Sequence, residues 1–285
     1  MSSRPAPAPG PDISISPDEL IKITRLIYRW TGMTFGENKR YYIERRIADR
    51  MAKTGHADAR SYLAFVSGDL AEREALINAF TINETYFYRE EHQFAALARQ
   101  ILPAVVENRR PGDRIRIWSM PCSTGEEAYS IAIWLLENWR MVDAYNVEIV
   151  GSDIDSHALA AAAAGEYGDR ALSRLPTPVL ESYFRPTRHH RRQIIDDLRE
   201  SVSLSPANLI DRASMADHGR FEVIFCRNVL IYFDDAARKV AVGHLFDALV
   251  PGGFLCLGHT ESMSRISDAF ELRRFPDAMV YQRPV

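Results

Sequence analysis

RIRIWSMPCSTGEEAYSIAIWLL, residues Arg114–Leu136, decides the fold of this chain. Apolar residues alternate up to Trp118, small residues make a tight turn through Pro121, Ser123 and Gly125, and a run of apolar residues then has the length of a helix. A second strand pattern, VEIVGSDID, ends on Asp153 and Asp155. Strand, small-residue turn, helix, strand and terminal acid is the layout of half a Rossmann nucleoside site: the turn lets a ligand approach the backbone, and the acid accepts ribose hydroxyls. Gly125 is the turn's one glycine. Without a Gly-x-Gly-x-x-Gly run there is little to cradle a pyrophosphate, so a nucleoside without phosphates, such as S-adenosylmethionine, fits better than NAD.

Working outward, strand-like runs recur at Ile115–Met120, Val147–Ser152, Phe221–Cys226 and Phe254–Leu257, with helical patterns at Glu126–Trp139, Ser156–Ala164 and Asp234–Leu249. Such alternation predicts a parallel, doubly wound α/β sheet. The chain closes on FELRRF, Pro276-Asp277 and MVYQR, two short strands about a turn. A terminal antiparallel hairpin on a parallel sheet is the pattern of class I methyltransferases. Residues Tyr183–Pro206 break the rhythm with short β-capable runs between charged turns, and are read as an inserted β-subdomain at about 183–206.

Upstream, the Pro-rich residues 1–15 form a disordered tail with no signal-peptide core. Residues 16–88 are read as a small all-helical domain and 89–285 as the α/β domain, entered through a helix over Glu91–Val106. In SPDEL, Ser16 caps the first helix with Pro17 at its first position and Glu19 completing a capping box. A second helix, about Lys39–Lys53, carries six basic and two acidic residues. Lys39, Arg46, Arg50 and Lys53 fall beside its apolar stripe of Ile43, Ile47 and Met51, so the helix could dock an acidic partner or be simply a solvated face.

The 285 residues hold one large domain and a small one, and a net charge of −3 disfavours nucleic acid as partner. Cys122, Cys226 and Cys256 and the eight histidines match no metal-ligand spacing. Isolated thiols in apolar runs suit a cytoplasmic protein, and no apolar run reaches membrane-spanning length. Pro121-Cys122 resembles the nucleophile dipeptide of cytosine-5 methyltransferases but follows the first strand instead of the fourth, so Cys122 is read as a small turn residue.

Ligands of such sheets bind beyond the carboxyl ends of the strands. Four segments end there: Ser119–Glu127, Asp153 with Asp155, the polar bend Pro206-Ala207-Asn208-Leu209, and Arg227-Asn228 followed by VLIYF with Tyr232. INETYFYRE adds Asn83, Glu84, Thr85 and Arg89 among aromatics near the domain boundary.

Taken together, NETYFYRE, WSMPCSTGEEAYSIAI, GSDID, IFCRNVLIYFD and PGGFLCLGHTES resemble, in order and spacing, the chemotaxis receptor glutamate methyltransferases, the CheR family. The resemblance covers nearly the whole chain after the tail. It implies a helical N-terminal domain on a class I S-adenosylmethionine-dependent methyltransferase domain with an inserted β-subdomain. The implied activity is transfer of the methyl group of S-adenosylmethionine to glutamate side chains of chemoreceptors, giving γ-glutamyl methyl esters. Carried over by position, the cofactor contacts are Asn83, Thr85, Arg89, Glu127, Asp153, Asn208, Leu209, Arg227 and Asn228, with Asp153 assigned to the ribose. Arg89 and Tyr232 are the candidates for positioning the acceptor carboxylate. The resemblance also makes Arg46 and Arg50 candidates for docking the Glu-rich helical region of the receptor. Some family members grip a C-terminal peptide tether through a glycine-bearing loop; RPTRHHRRQIIDD has no glycine, which puts that tether in doubt and favours direct docking.

Overall fold

The computed structural model describes residues 15–36, 39–188, 190–276 and 278–285. The tail expected over residues 1–15 therefore falls almost wholly outside the described residues, as does Asp277 of the predicted terminal turn. The chain divides into two compact units, the first ending at Thr81 and the second running from Ile82 to Val285.

Among the described residues, four helices make the first unit: α1 (Pro17–Thr31), α2 (Arg40–Thr54), α3 (Ala59–Gly68) and α4 (Leu70–Phe80). Each start but that of α2 has a side-chain cap. The Ser16–Glu19 capping box opens α1, with the Ser16 amide donating to Glu19 Oε2 at 3.0 Å, while Asp58 and Asp69 cap α3 and α4. Ile23, Ile27, Ile43, Ile47, Met51, Tyr62, Leu76 and Phe80 fill the core between them.

In the second unit α5 (Glu91–Ala96) passes through a π-helical turn at Leu97–Ile101 into α6 (Leu102–Val106). There follow β1 (Arg114–Ser119), α7 (Glu126–Asn138), β2 (Asn146–Asp153), α8 (Ser156–Ala164), β3 (Glu166–Tyr167), α9 (Asp169–Leu172), α10 (Thr177–Tyr183), β4 (Phe184–Pro186), β5 (Arg192–Ile194) and α11 (Asp196–Ser201). The chain finishes with β6 (Val202–Pro206), α12 (Arg212–Ala216), β7 (Phe221–Cys226), α13 (Asp235–Ala248), β8 (Leu249–Leu257), β9 (Glu271–Arg274) and β10 (Met279–Gln282). The main sheet has the order β6-β2-β1-β7-β8-β10-β9. Its first five strands are parallel and β10 runs antiparallel to both β8 and β9. This is the predicted α/β sheet with its antiparallel hairpin. The chain builds outward from β1 through β2 to β6, then returns to place β7 on the other side of β1, so the switch point lies between β1 and β7.

Two boundaries differ from the sequence reading. The helical unit ends at Thr81 instead of residue 88, because the segment after it packs into the second unit: Phe87 is fully buried, edge-on to Tyr167 and Phe184 at 4.8 and 5.2 Å. The inserted sheet, β3-β5-β4, begins with two residues at Glu166 and ends at Ile194. Val202–Pro206 belongs instead to the main sheet, as an edge strand in register with β2.

Candidate functional site

Three loops at the carboxyl ends of β1, β2 and β7 bring the sequence-predicted residues together. After β1 the backbone turns sharply, with Ser123 at φ 50° and Gly125 at φ 94°. Gly125 has two reasons to be glycine. Its φ is left-handed, and a Cβ there would stand 2.9 Å from both Ala162 Cβ and Tyr129 Cε2. The turn aims the Ser123 amide at Asp153, whose Oδ2 accepts it at 2.8 Å, while Oδ1 accepts the Asp155 amide at 2.9 Å. Each carboxylate oxygen keeps a lone pair for a further donor. Asp155 caps α8 through the amides of His157 and Ala158 and also accepts from Asn83 Nδ2 at 2.7 Å. Asn83 Oδ1 in turn accepts from Ser123 Oγ at 3.0 Å. Asn83 therefore ties the two acid-bearing loops together.

Arg227 follows β7 directly, with a side chain only 2% exposed. It donates from Nη1 to Glu127 Oε2 at 2.9 Å and from Nη2 to the Arg89 carbonyl at 2.6 Å, with Glu90 Oε2 at 3.3 Å. Its Nε–H is buried and meets no acceptor among the described residues. Glu127 also accepts from Ser119 Oγ at 2.7 Å.

Burial dominates the electrostatics. It raises Glu127 against the pull of Arg227, and it raises Asp153 to about 6 against the amides of Asp155 and Ser123. Burial would raise Glu90 too, but Arg227 and His259 prevail and lower it. Burial also pushes the Cys122 thiol well up, which leaves it no nucleophile and agrees with its reading as a turn residue.

Thr85, Arg89, Glu127, Arg227 and Asn228 line one cleft with Tyr86, Phe94, Pro121 and Ser123, a space of about 60 Å³. Arg89 donates to the Glu84 carbonyl at 2.8 Å, with its guanidinium 5.9 Å from the Tyr86 ring centroid. Asn83 and Asp153 join the cleft through Ser123. Asn208 and Leu209 do not line it but follow β6, where Pro206 sits in register with Asp153 and the Ala207 amide donates to the Asp153 carbonyl at 3.0 Å. Tyr232 stands apart, half-buried in the 3₁₀ turn Leu230–Tyr232.

Sequence reasoning missed two participants. Glu90, at φ 58°, carries the second carboxylate facing Arg227. Glu261 accepts backbone amides from the loop after β7. Glu90 closes the quoted INETYFYRE and Glu261 lies inside the quoted PGGFLCLGHTES, but neither shows a spacing that marks a partner.

The docking candidates on α2 have internal partners. Arg50 forms a two-point ion pair with Glu72, which is 5% exposed and also accepts from the Tyr62 hydroxyl at 2.6 Å. Arg46 stacks on Tyr42, 3.5 Å from the ring centroid, and donates to the Ala79 carbonyl. The exposed cations of this helix region are Lys39, Arg40, Arg45 and Lys53, and Arg40 pairs with Glu44 at 2.7 Å. Among the described residues no helix is long and apolar enough to cross a membrane, and no group of three His, Cys, Asp or Glu residues could hold a metal ion.

The cleft fits an S-adenosyl ligand by its donor set. A buried acid at the tip of β2 keeps acceptor capacity for a diol, Arg89 and Arg227 line the cleft, and its turn has one glycine instead of a phosphate-cradling run. Comparison with known proteins agrees. The family model for the CheR methyltransferase SAM binding domain matches residues 83–279, and that for the CheR methyltransferase all-alpha domain matches residues 18–81. Chemotaxis protein methyltransferase 2 of Vibrio cholerae is 43% identical over 277 residues, covering 96% of this chain and 95% of its own. The chemotaxis protein methyltransferase of Klebsiella aerogenes is 38% identical, covering 88% of this chain and 86% of its own. That of Vibrio parahaemolyticus is 34% identical, covering 95% and 98%.

Proposed function

The chain belongs to the CheR family of S-adenosylmethionine-dependent chemotaxis methyltransferases, and from that premise we propose how its own residues carry out methyl transfer to chemoreceptor glutamates. The observation that carries the reading is the convergence of Thr85, Arg89, Glu127, Arg227 and Asn228, from separate stretches of sequence, on one cleft beyond the strand ends.

S-adenosylmethionine supplies an electrophilic methyl group on a sulfonium centre. Asp153 would receive the ribose hydroxyls, Asn83 would keep Ser123 and Asp155 in register for that contact, and Asn208 and Leu209, which follow β6 beside Asp153, would hold the base. Arg227, held by Glu127 and Glu90, presents its Nε–H to the polar end of the ligand. A glutamate side chain titrates near 4.3, so the acceptor is already an anion at neutral pH and needs no general base. What the protein contributes is placement of that carboxylate, which is proximity catalysis. Arg89 at the cleft wall orients it by a two-point contact, while Tyr232, which stands apart from the cleft, could meet it only on the receptor's side. Arg89→Ala should lower kcat even at saturating cofactor. Unchanged kcat would remove Arg89 from this role.

On the receptor side, the basic helix region docks the acidic methylation helices directly. Since Arg50 is committed to Glu72, the cations that meet the receptor are Lys39, Arg45 and Lys53, with Arg46 beside them. Between β4 and β5 the Thr187 amide donates to the Arg191 carbonyl at 2.9 Å, and the sequence there offers no glycine for a tether-gripping loop. A receptor truncated before its C-terminal tail should be methylated as well as the full-length one; loss of methylation would restore the tether.

A further inference from the structure

Arg227 and Asn228 bring the segment after β7 to the cleft, and beyond the Arg227 side chain its first backbone amides all turn to one carboxylate. Glu261 Oε2 accepts the amides of Asn228 at 2.7 Å and Gly258 at 2.9 Å, while Oε1 accepts those of Val229 at 2.9 Å and Leu230 at 2.8 Å. Three successive amides converging on one anion form a backbone nest, and here the anion is built into the chain. The nest requires Asn228 at φ 59°, a left-handed conformation that needs support in a residue other than glycine. It also requires Gly258. A Cβ there would stand 2.8 Å from Glu261 Oε2, 2.7 Å from Asn228 Nδ2 and 3.0 Å from the Asn228 amide.

We propose that Glu261 is a positioning residue for methyl transfer: its carboxylate fixes the Arg227–Leu230 backbone so that Arg227 and Asn228 face the cofactor cleft. This rests on the cleft reading above. Charge and shape both matter. In Glu261→Gln one oxygen becomes an NH₂ group facing amides that also donate, so an isosteric change breaks half the nest. In Glu261→Ala the atoms removed are those of acetate. The emptied space adjoins a cavity of about 250 Å³ lined by Leu230, Ile231, Asp235, Arg238, Ser262 and Arg265, giving acetate a route in past Arg265 and the Arg238–Asp235 pair.

The test combines amide exchange in the protein without cofactor, calorimetric binding of S-adenosylhomocysteine, and turnover, for the wild type, E261Q and E261A. Expected are at least tenfold faster exchange at residues 228–230 and 258 in E261Q and at least a tenfold higher Kd, with the far-UV circular dichroism retained. E261A should recover binding in millimolar acetate, whereas the wild type should be indifferent to it. If the wild type binds and E261Q exchanges or binds equally well, Glu261 has no positioning role. A wild type that bound no S-adenosylhomocysteine would instead overturn the cleft reading, and this role with it.

Discussion

Each unit of the molecule sets an arginine against inward-facing carboxylate, and the two sites differ in one respect that separates structure from function. In the helical unit, Arg50 and Glu72 satisfy each other at two points, Tyr62 fills the remaining face of the carboxylate, and the pair lowers Glu72 although burial alone would raise it. In the α/β unit, Arg227 meets Glu127 and Glu90 but keeps a buried Nε–H unpaired, and burial raises both Glu127 and Asp153. A closed network serves the fold. An open one, with groups held in costly states, marks where a ligand completes it.

The largest effect should come from Arg227. Arg227→Lys keeps the charge but loses the planar fork, stranding Glu127 and Glu90; cofactor affinity should fall at least ~100-fold. Isothermal titration with S-adenosylhomocysteine measures it, and a change below threefold would mean the network is as structural as that of Arg50.

Asp153→Asn sharpens the contrast from the other side. Losing the charged acceptor should raise Kd about 30-fold. Because the folded-state value is raised to about 6 from an ordinary 3.8, ionisation of Asp153 opposes folding at pH 7 by on the order of 3 kcal/mol. The wild type should therefore lose stability as pH rises from about 4 through 6, a loss absent from the asparagine variant, whose Nδ2 instead faces an amide that also donates. For the wild type, cofactor affinity should weaken as pH drops through 6 and the anion is lost. Glu72 has the opposite sign. Its lowered value means stability that is complete above about 4.5 and lost on acidification below it, so acid should melt the helical unit first. Denaturation curves of each unit against pH would show whether the two signs separate.

Arg50→Ala should leave Glu72 buried without its cation and cost about 3–5 kcal/mol in the helical unit, with S-adenosylhomocysteine affinity unchanged. If receptor KM rose without any loss of stability, Arg50 would be a docking residue after all. The smallest effect belongs to the exposed cations. Reversing Lys39, Arg45 or Lys53 singly should raise the receptor KM a few-fold, more at low salt, with no change in stability.

What could be read ahead of the structure follows the range of the interactions. The β1–turn–α7 unit, the acid at the tip of β2 and the capping box of α1 are local, set by residues within a few positions of one another, and the sequence shows them directly. The limits of the inserted sheet were hidden because β3 is two residues long and β6 is an edge strand with little alternation in burial. The partners of Arg50, 22 residues on, and of the Asn228 loop, 33 residues on, are set by tertiary packing that no spacing displays. A helical wheel placed Arg50 on a basic arc but could not show that Glu72 of α4 already occupied it.

The most direct test of the whole account is to incubate the protein with methyl-labelled S-adenosylmethionine and receptor-containing membranes. Label should enter the receptor band, depend on its glutamates, and leave as methanol in mild base; label that is base-stable, that appears on nucleic acid, or that fails to transfer at all would contradict methyl ester formation on chemoreceptors.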